Sequence, residues 1–133
     1  MNVSTVDMSL ATGLGSVTIL NATVTVPMTT EKLTGVRHCN GNDIWVLTHN
    51  SSNVFLAYQI TNTGISTSPV TSTIGSIHSS GLGHMKTSPN GKKIALGIYG
   101  NSTFELYDFD NATGVVSNSL ILGNNFVNPY GVE

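Results

Sequence analysis

Charge is scarce in this chain: five Lys or Arg and seven Asp or Glu make 9% of 133 residues, for a net charge of −2. No basic patch is available to neutralise a nucleic-acid backbone, and no acidic run marks a disordered tail. Cysteine is nearly absent. Cys39 stands alone, so no internal disulfide can form, and between His38 and Asn40 it reads as a small packed residue rather than a nucleophile. Long apolar runs are missing too; none approaches the roughly 20 residues that a membrane-spanning helix needs. The opening Met1 to Asp7 has neither the basic nor the apolar region of a secretory signal. Glu, Lys, Gln and Arg, the good helix formers, are so few that long helices are excluded.

What fills the chain instead is Ser, Thr and Asn, 46 residues together, with 14 Gly. Thr favours strands, whereas Asn, Gly and Ser favour turns. The composition is that of an all-β protein with many short strands. In such a composition the five Asn-x-Ser/Thr sequons, beginning at Asn2, Asn21, Asn50, Asn101 and Asn111, are expected by chance.

The chain repeats itself at fifty residues. Asn40-Gly41-Asn42-Asp43-Ile44-Trp45-Val46-Leu47 matches Asn90-Gly91-Lys92-Lys93-Ile94-Ala95-Leu96-Gly97. Tyr58-Gln59-Ile60-Thr61-Asn62-Thr63-Gly64-Ile65 matches Asp108-Phe109-Asp110-Asn111-Ala112-Thr113-Gly114-Val115 at the same offset. Each unit reads as four strands. The first unit has Lys32 to His38, Asp43 to His49, Val54 to Thr61 and Pro69 to Ile77. The second has His84 to Thr87, Lys92 to Tyr99, Thr103 to Asp110 and Val115 to Leu122. Asn-Gly joins the first two strands of each and Thr-Gly the last two, both hairpin signals. Four strands in about fifty residues are what a β-propeller blade requires.

The ends carry the same phase. Val3 to Leu10, the turn Ala11-Thr12-Gly13 and Val17 to Val26 match the third and fourth strands of a preceding blade. Tyr130 to Glu133 align with Gly83 to Lys86, an innermost strand. The expected fold is therefore a fragment of a β-propeller built from four-stranded antiparallel blades. Residues 1–30 end one blade, 31–80 and 81–125 form two, and 126–133 begin the next. Ile44, Val46, Ile94, Leu96, Leu106 and Phe109 are expected in the core, with Trp45 mostly buried.

A family resemblance rests on Val6-Asp7-Met8-Ser9-Leu10, Thr30 to Thr34, Trp45 to His49, Gly75 to Ser79, Met85 to Lys93 (with Ser88-Pro89-Asn90-Gly91-Lys92-Lys93 at its centre) and Leu106 to Asp110. Over essentially its whole length the chain resembles the N-terminal WD40-like propeller of large secreted Bacteroidota proteins that end in a type IX secretion (type B) sorting domain, also called the gliding-motility-associated C-terminal domain. The resemblance implies an extracellular or cell-surface location. The sorting domain is not in this sequence.

Four histidines, His38, His49, His78 and His84, invite a metal hypothesis, but no HxH, HxxxH or CxxC spacing brings a pair together locally. Histidines at strand ends are expected to bond turn backbone or face solvent. Asp108 and Asp110 alternate on a strand, so they share a face. An acid/base pair or a calcium site is the sharper reading; shaping the Asn111 to Gly114 turn is the plainer and favoured one. Trp45 is expected to pack in the core and not to serve as a ligand platform. Gly81-Leu82-Gly83 precedes no helix and is no phosphate loop. No residue is assigned a catalytic, cofactor or metal role.

The sequence thus reads as a non-catalytic propeller scaffold, recognising a protein or a glycan through its blade loops. The alternative is a lactonase-like propeller enzyme, with a site built from several blades around the channel. The inner strands offer it Arg37, His38, His84, Lys86 and Glu133, a mixed set. The 133 residues by themselves are expected to self-associate, because so little charge guards their open sheet flanks.

Overall fold

The computed structural model describes residues 1–24 and 29–133. The protein is all-β, and every strand pairing in it is antiparallel. Strands β1 (Asn2–Asp7) and β2 (Ser16–Thr23) form a hairpin. The first large sheet holds β3 (Thr29–Arg37), β4 (Ile44–Asn50), β5 (Val54–Thr61), β6 (Gly64–Ile65) and β7 (Val70–Thr73). The second holds β8 (Met85–Thr87), β9 (Lys93–Ile98), β10 (Thr103–Asp110) and β11 (Val115–Ile121), side by side in that order. Among the described residues the only helical pieces are 3-10 turns at Ala11–Gly13 and Tyr99–Asn101.

The Asn-Gly turns form as their chemistry dictates. Gly41 and Gly91 take φ of +76° and +67°, values open to glycine without a Cβ penalty. The Asn40 side chain accepts the N–H groups of Asn42 and Asp43, and Asn90 accepts that of Lys92, the usual Asx stabilisation. In the ladders that follow, Val36 lies opposite Trp45 and, fifty residues on, Lys86 lies opposite Ala95.

The third strand departs from that period. Trp45 faces Gln59 across its ladder, whereas Ala95 faces Leu106 and not Phe109. In pairing terms β10 has slid three residues against β5. Asp108, opposite Lys93, therefore corresponds in the sheet to Thr61 and not to Tyr58, as the sequence offset implied.

The fourth strand differs as well. Where Pro69 to Ile77 was expected, pairing covers only Val70–Thr73, and β6 continues the same outer edge after a break at Ser66 to Pro69. Proline supplies no N–H to a ladder. Past Thr73 the chain leaves the sheet, with Gly75 at φ +84°. The outer strand of the second sheet is interrupted in its own way: Asn118 is left-handed and the β10–β11 register shifts beside it.

The two sheets stack strand over strand. The Thr87 hydroxyl on β8 donates to the Gly35 carbonyl on β3, and the Val116 N–H on β11 donates to Ser72 Oγ on β7. Trp45, Leu47, Phe55 and Ala57 from the first sheet meet Met85, Ile94, Leu96, Ile98, Tyr107 and Phe109 from the second in one core. The faces that meet are unlike. The β4 residues turned inward are the odd ones, whose counterparts fifty residues on, Ala95 and Gly97, point away from the first sheet. The inward β9 residues, Ile94 and Leu96, are counterparts of Ile44 and Val46 on the outer face.

That arrangement corrects the core expectation. Ile94, Leu96, Phe109 and Trp45 are buried, Val46 and Leu106 are half-buried, and Ile44 keeps 43% of its surface exposed. At the start of the chain, Val3 to Leu10 and Val17 to Val26 appear as the shorter β1 and β2, and residues 25–28 of the expected second strand lie outside the described residues. No strand forms at Tyr130 to Glu133, which instead run beside β8: the His84 N–H donates to the Tyr130 carbonyl at 2.8 Å.

Candidate functional site: a cleft at the strand ends and a buried polar cluster

Where β3 and β8 end, a cleft of about 770 Å³ curls around the Ser88 to Gly91 turn. Such a volume is within the range of small-molecule sites. Four of the five residues that the inner strands offer, Arg37, His38, Lys86 and Glu133, line it. The fifth, His84, does not; its Nδ1–H donates to the Val132 carbonyl at 3.1 Å. Lys86 and Glu133 pair at 3.5 Å, while the Arg37 guanidinium has no hydrogen bond or ion pair among the described residues. The cleft floor includes Ala95 and Leu106, on the outer face of the second sheet.

His38 stacks on Trp45 with ring centroids 5.5 Å apart. Its Nδ1 accepts the Asn40 N–H at 3.1 Å and lies 3.7 Å from Cys39 Sγ. Cys39 is exposed and not packed as expected; its N–H donates to the Asn111 carbonyl at 3.1 Å, and the residue lines the cleft. Trp45 is a core residue, 4% exposed. Its indole N–H donates to the Asn111 carbonyl at 3.0 Å, and its ring lies against Gly114. A Cβ at Gly114 would sit 2.9 Å from that ring, and the backbone there has φ +78°, so both space and conformation require glycine. One tryptophan thus ties β4 to the β10–β11 turn of the other sheet.

The second polar feature lies between the sheets. Residues at inward positions of β3 and β10, Lys32 and Glu105, are fully buried. The Lys32 ammonium donates to the Leu82 carbonyl at 2.8 Å, and burial pulls its pKa down to about 8. Glu105 accepts hydrogen bonds from the Ser76 and Tyr107 hydroxyls. Burial first, and the Glu105 carboxylate next, raise the Tyr107 phenol.

Beside them His49 and His78 stack, with centroids 3.9 Å apart and planes 17° from parallel. His49 Nδ1–H donates to the Asn50 carbonyl at 2.6 Å, which leaves Nε2 unprotonated. That Nε2 and both ring nitrogens of His78 are buried and without partners among the described residues. Burial drives His49 down to about 4, and burial together with the neighbouring His49 and Lys32 drives His78 to about 3. The expectation that strand-end histidines bond turn backbone or face solvent holds for His38. It fails for His78, which the connection between the sheets carries inward. Stacked rings aim their lone pairs side by side and not at a common point, which disfavours a shared ion. Among the described residues no group of three or more His, Cys, Asp or Glu is placed to hold a metal.

Asp108 pairs with Lys93 and accepts from Asn118 at 2.9 Å. Asp110 accepts the Ala112 N–H at 2.9 Å and the Thr113 hydroxyl at 2.7 Å. Both carboxyls are held below their usual range, Asp108 by Lys93 and then Asn118, Asp110 by the Ala112 N–H and then Thr113. Asp108 is thus tied to the strands on either side of β10, and Asp110 to the turn that follows it.

No protein-family model, curated protein or solved structure matches this chain. Among the described residues no helix is long and apolar enough to cross a membrane.

Proposed function

We propose that the chain is a segment of a β-propeller, with residues 31–80 and 81–125 as two consecutive blades and 126–133 as the start of a third. In this reading it is a non-catalytic recognition module of a secreted or cell-surface protein, binding a protein or a glycan through the loops at one end of its blades. The secreted location rests on the family resemblance alone.

The observation that carries the propeller reading is the meeting of unlike faces. A two-fold sandwich of two similar sheets brings like faces together. Rotation from unit to unit about a common axis sets the front of one sheet on the back of the next, strand over matching strand. The first two strands follow that rule at an offset of fifty, as do the third strands once their three-residue slip is included. A following blade would cover Ala95 and Leu106, so the ligand-facing part of the cleft is its rim, where Arg37 is uncommitted and the Ser88 to Gly91 turn is exposed or half-exposed apart from Gly91.

Binding to immobilised polysaccharides and purified surface proteins, with Arg37→Glu in parallel, tests the reading. Saturable binding that weakens at least about tenfold in the variant is the expected result. Turnover of a lactone by the chain would move it into the enzymatic class instead.

A further inference from the structure

The connection from β7 to β8 dips between the sheets and leaves again. It is held to the first sheet by the Ile74 and His78 N–H groups, which donate to the Asn53 and Ser52 carbonyls at 2.9 and 3.1 Å. It is held to the second unit by Ser76, whose N–H and hydroxyl both donate to the Glu105 carboxylate. The Asn101 amide adds a bond to the Ile77 carbonyl at 2.9 Å. Gly75 lies so close to the Tyr107 hydroxyl that no Cβ fits there. From this loop the His78 ring hangs inward onto His49.

The groups around the two rings decide what a proton does there. Lys32 comes from β3, and Glu105 and Tyr107 come from β10. Phe55 of β5 stands edge-on to His49 at 4.5 Å. Glu105 favours a proton on His49, whereas Lys32 opposes one on either ring. The Glu105 charge is already met by Ser76 and Tyr107. Three of the four ring nitrogens have no hydrogen bond among the described residues. A proton added to either ring is thus a charge in a dry space, beside a cation and 3.9 Å from a second basic ring.

At the turn end the sheets are joined by uncharged groups. The Cys39 N–H and the Trp45 indole both donate to the Asn111 carbonyl, and the Thr87 hydroxyl donates to the Gly35 carbonyl. His38, the titratable ring there, is only half-buried. We propose that the Gly75 to Ser79 segment is an acid-released latch: proton uptake by His49 and His78 lifts it off the seam and uncovers Phe55 and Tyr107, while the turn end keeps the two sheets together. Water replaces the bonds the segment gives up, and it solvates a charged ring far better than the seam does. The latch needs the stacking of the two sheets and not the propeller reading.

Hydrogen exchange of the full chain between pH 6 and 4.5 tests it, each rate divided by that of an unstructured peptide at the same pH. Below the ordinary histidine pKa of 6.5, each proton taken up on opening makes opening about tenfold easier per pH unit. With two rings, exchange at the Ser76 and His78 amides should rise more than about tenfold per pH unit. The Cys39 and β9 amides should keep their protection. The emission maximum of Trp45, the only tryptophan, should stay at its pH 7 position; its intensity is a poorer gauge because His38 stacks on it. His78→Leu, and separately His49→Phe, which keeps a ring in the stack, should each lower the slope to at most about tenfold. If one of these does not fold, the other carries the comparison. Ser76 and His78 losing protection only together with β9 and a shift of Trp45 emission would mean global unfolding and overturn the latch. Exchange there that is independent of pH, or a slope unchanged in the variants, overturns it too.

Discussion

Ile44 and Ile94 are the same residue at the same phase of the repeat, each at the start of its second strand and each just past an Asn-Gly turn. One keeps 43% of its surface in solvent and the other none. The difference lies in neither the strand nor the side chain. The second sheet turns the Ile94 face toward the first, and the first turns its Ile44 face outward. Burial here is decided by the neighbour a face meets, and a period in the sequence carries no information on which faces have one.

Truncation is the hardest test of that contrast. Ile94→Ala should cost about 2–5 kcal/mol, because the cavity opens in a fully packed interface. Chemical denaturation of the variant measures it, and a loss below about 0.5 kcal/mol would mean that the sheets do not stack as described.

Acid probes the polar end of the same interface. His49 and His78 are held neutral, well below their ordinary pKa of 6.5. The unfolded chain therefore takes up protons first as pH falls, and stability drops with it. The loss should begin near 6.5, run to about 4 for His49 and continue to about 3 for His78. Its size should be several kcal/mol for the two together, since each tenfold change in proton affinity between the folded and unfolded chain is worth about 1.4 kcal/mol. Lys32 deepens the effect on both histidines, and Glu105 opposes it at His49. Thermal melts at pH 7 and pH 4.5 would show the slope, and His78→Leu should flatten it. A profile unchanged in that variant would exclude the stacked pair as its source.

The smallest effect belongs to the outer face. Ile44→Ala should change the stability of the isolated chain by less than about 1 kcal/mol, as expected where half the side chain is already wet. If Ile44→Ala costs as much as Ile94→Ala, a partner covers that face in solution and the contrast between the two isoleucines disappears.

Much of the strand pattern was legible beforehand. Val54–Thr61 and Thr103–Asp110 lie where alternation and turn residues placed them, because hairpin chemistry is local. The three-residue slip of β10 was not legible, since it lies in how β9 and β10 pair and leaves the next turn in phase: Asp110 pairs with Val115 as Ile60 pairs with Ile65. The His49–His78 stack was hidden for another reason: the two are far apart along the chain, and only the crossing between sheets brings them together. Glu105 did leave a sign. It sits between Thr103 and Tyr107 in the inward phase of β10, and a carboxylate at a core position of an alternating strand marks a buried partner to be found. Lys32 carries the same sign on β3, two residues before Thr34 and four before Val36.

Both outer strands are broken, the first between β6 and β7 around Pro69 and the second at Asn118. A sheet that ends in a long straight ladder offers a template on which other chains can add, strand by strand, into fibrils. These edges offer only short, offset stretches of free N–H and C=O groups. With five Lys or Arg in the whole molecule, charge cannot provide that protection; backbone geometry does. At these two outer edges, contacts between molecules are thereby steered away from sheet extension and toward flat side-chain surfaces, where shape selects the partner.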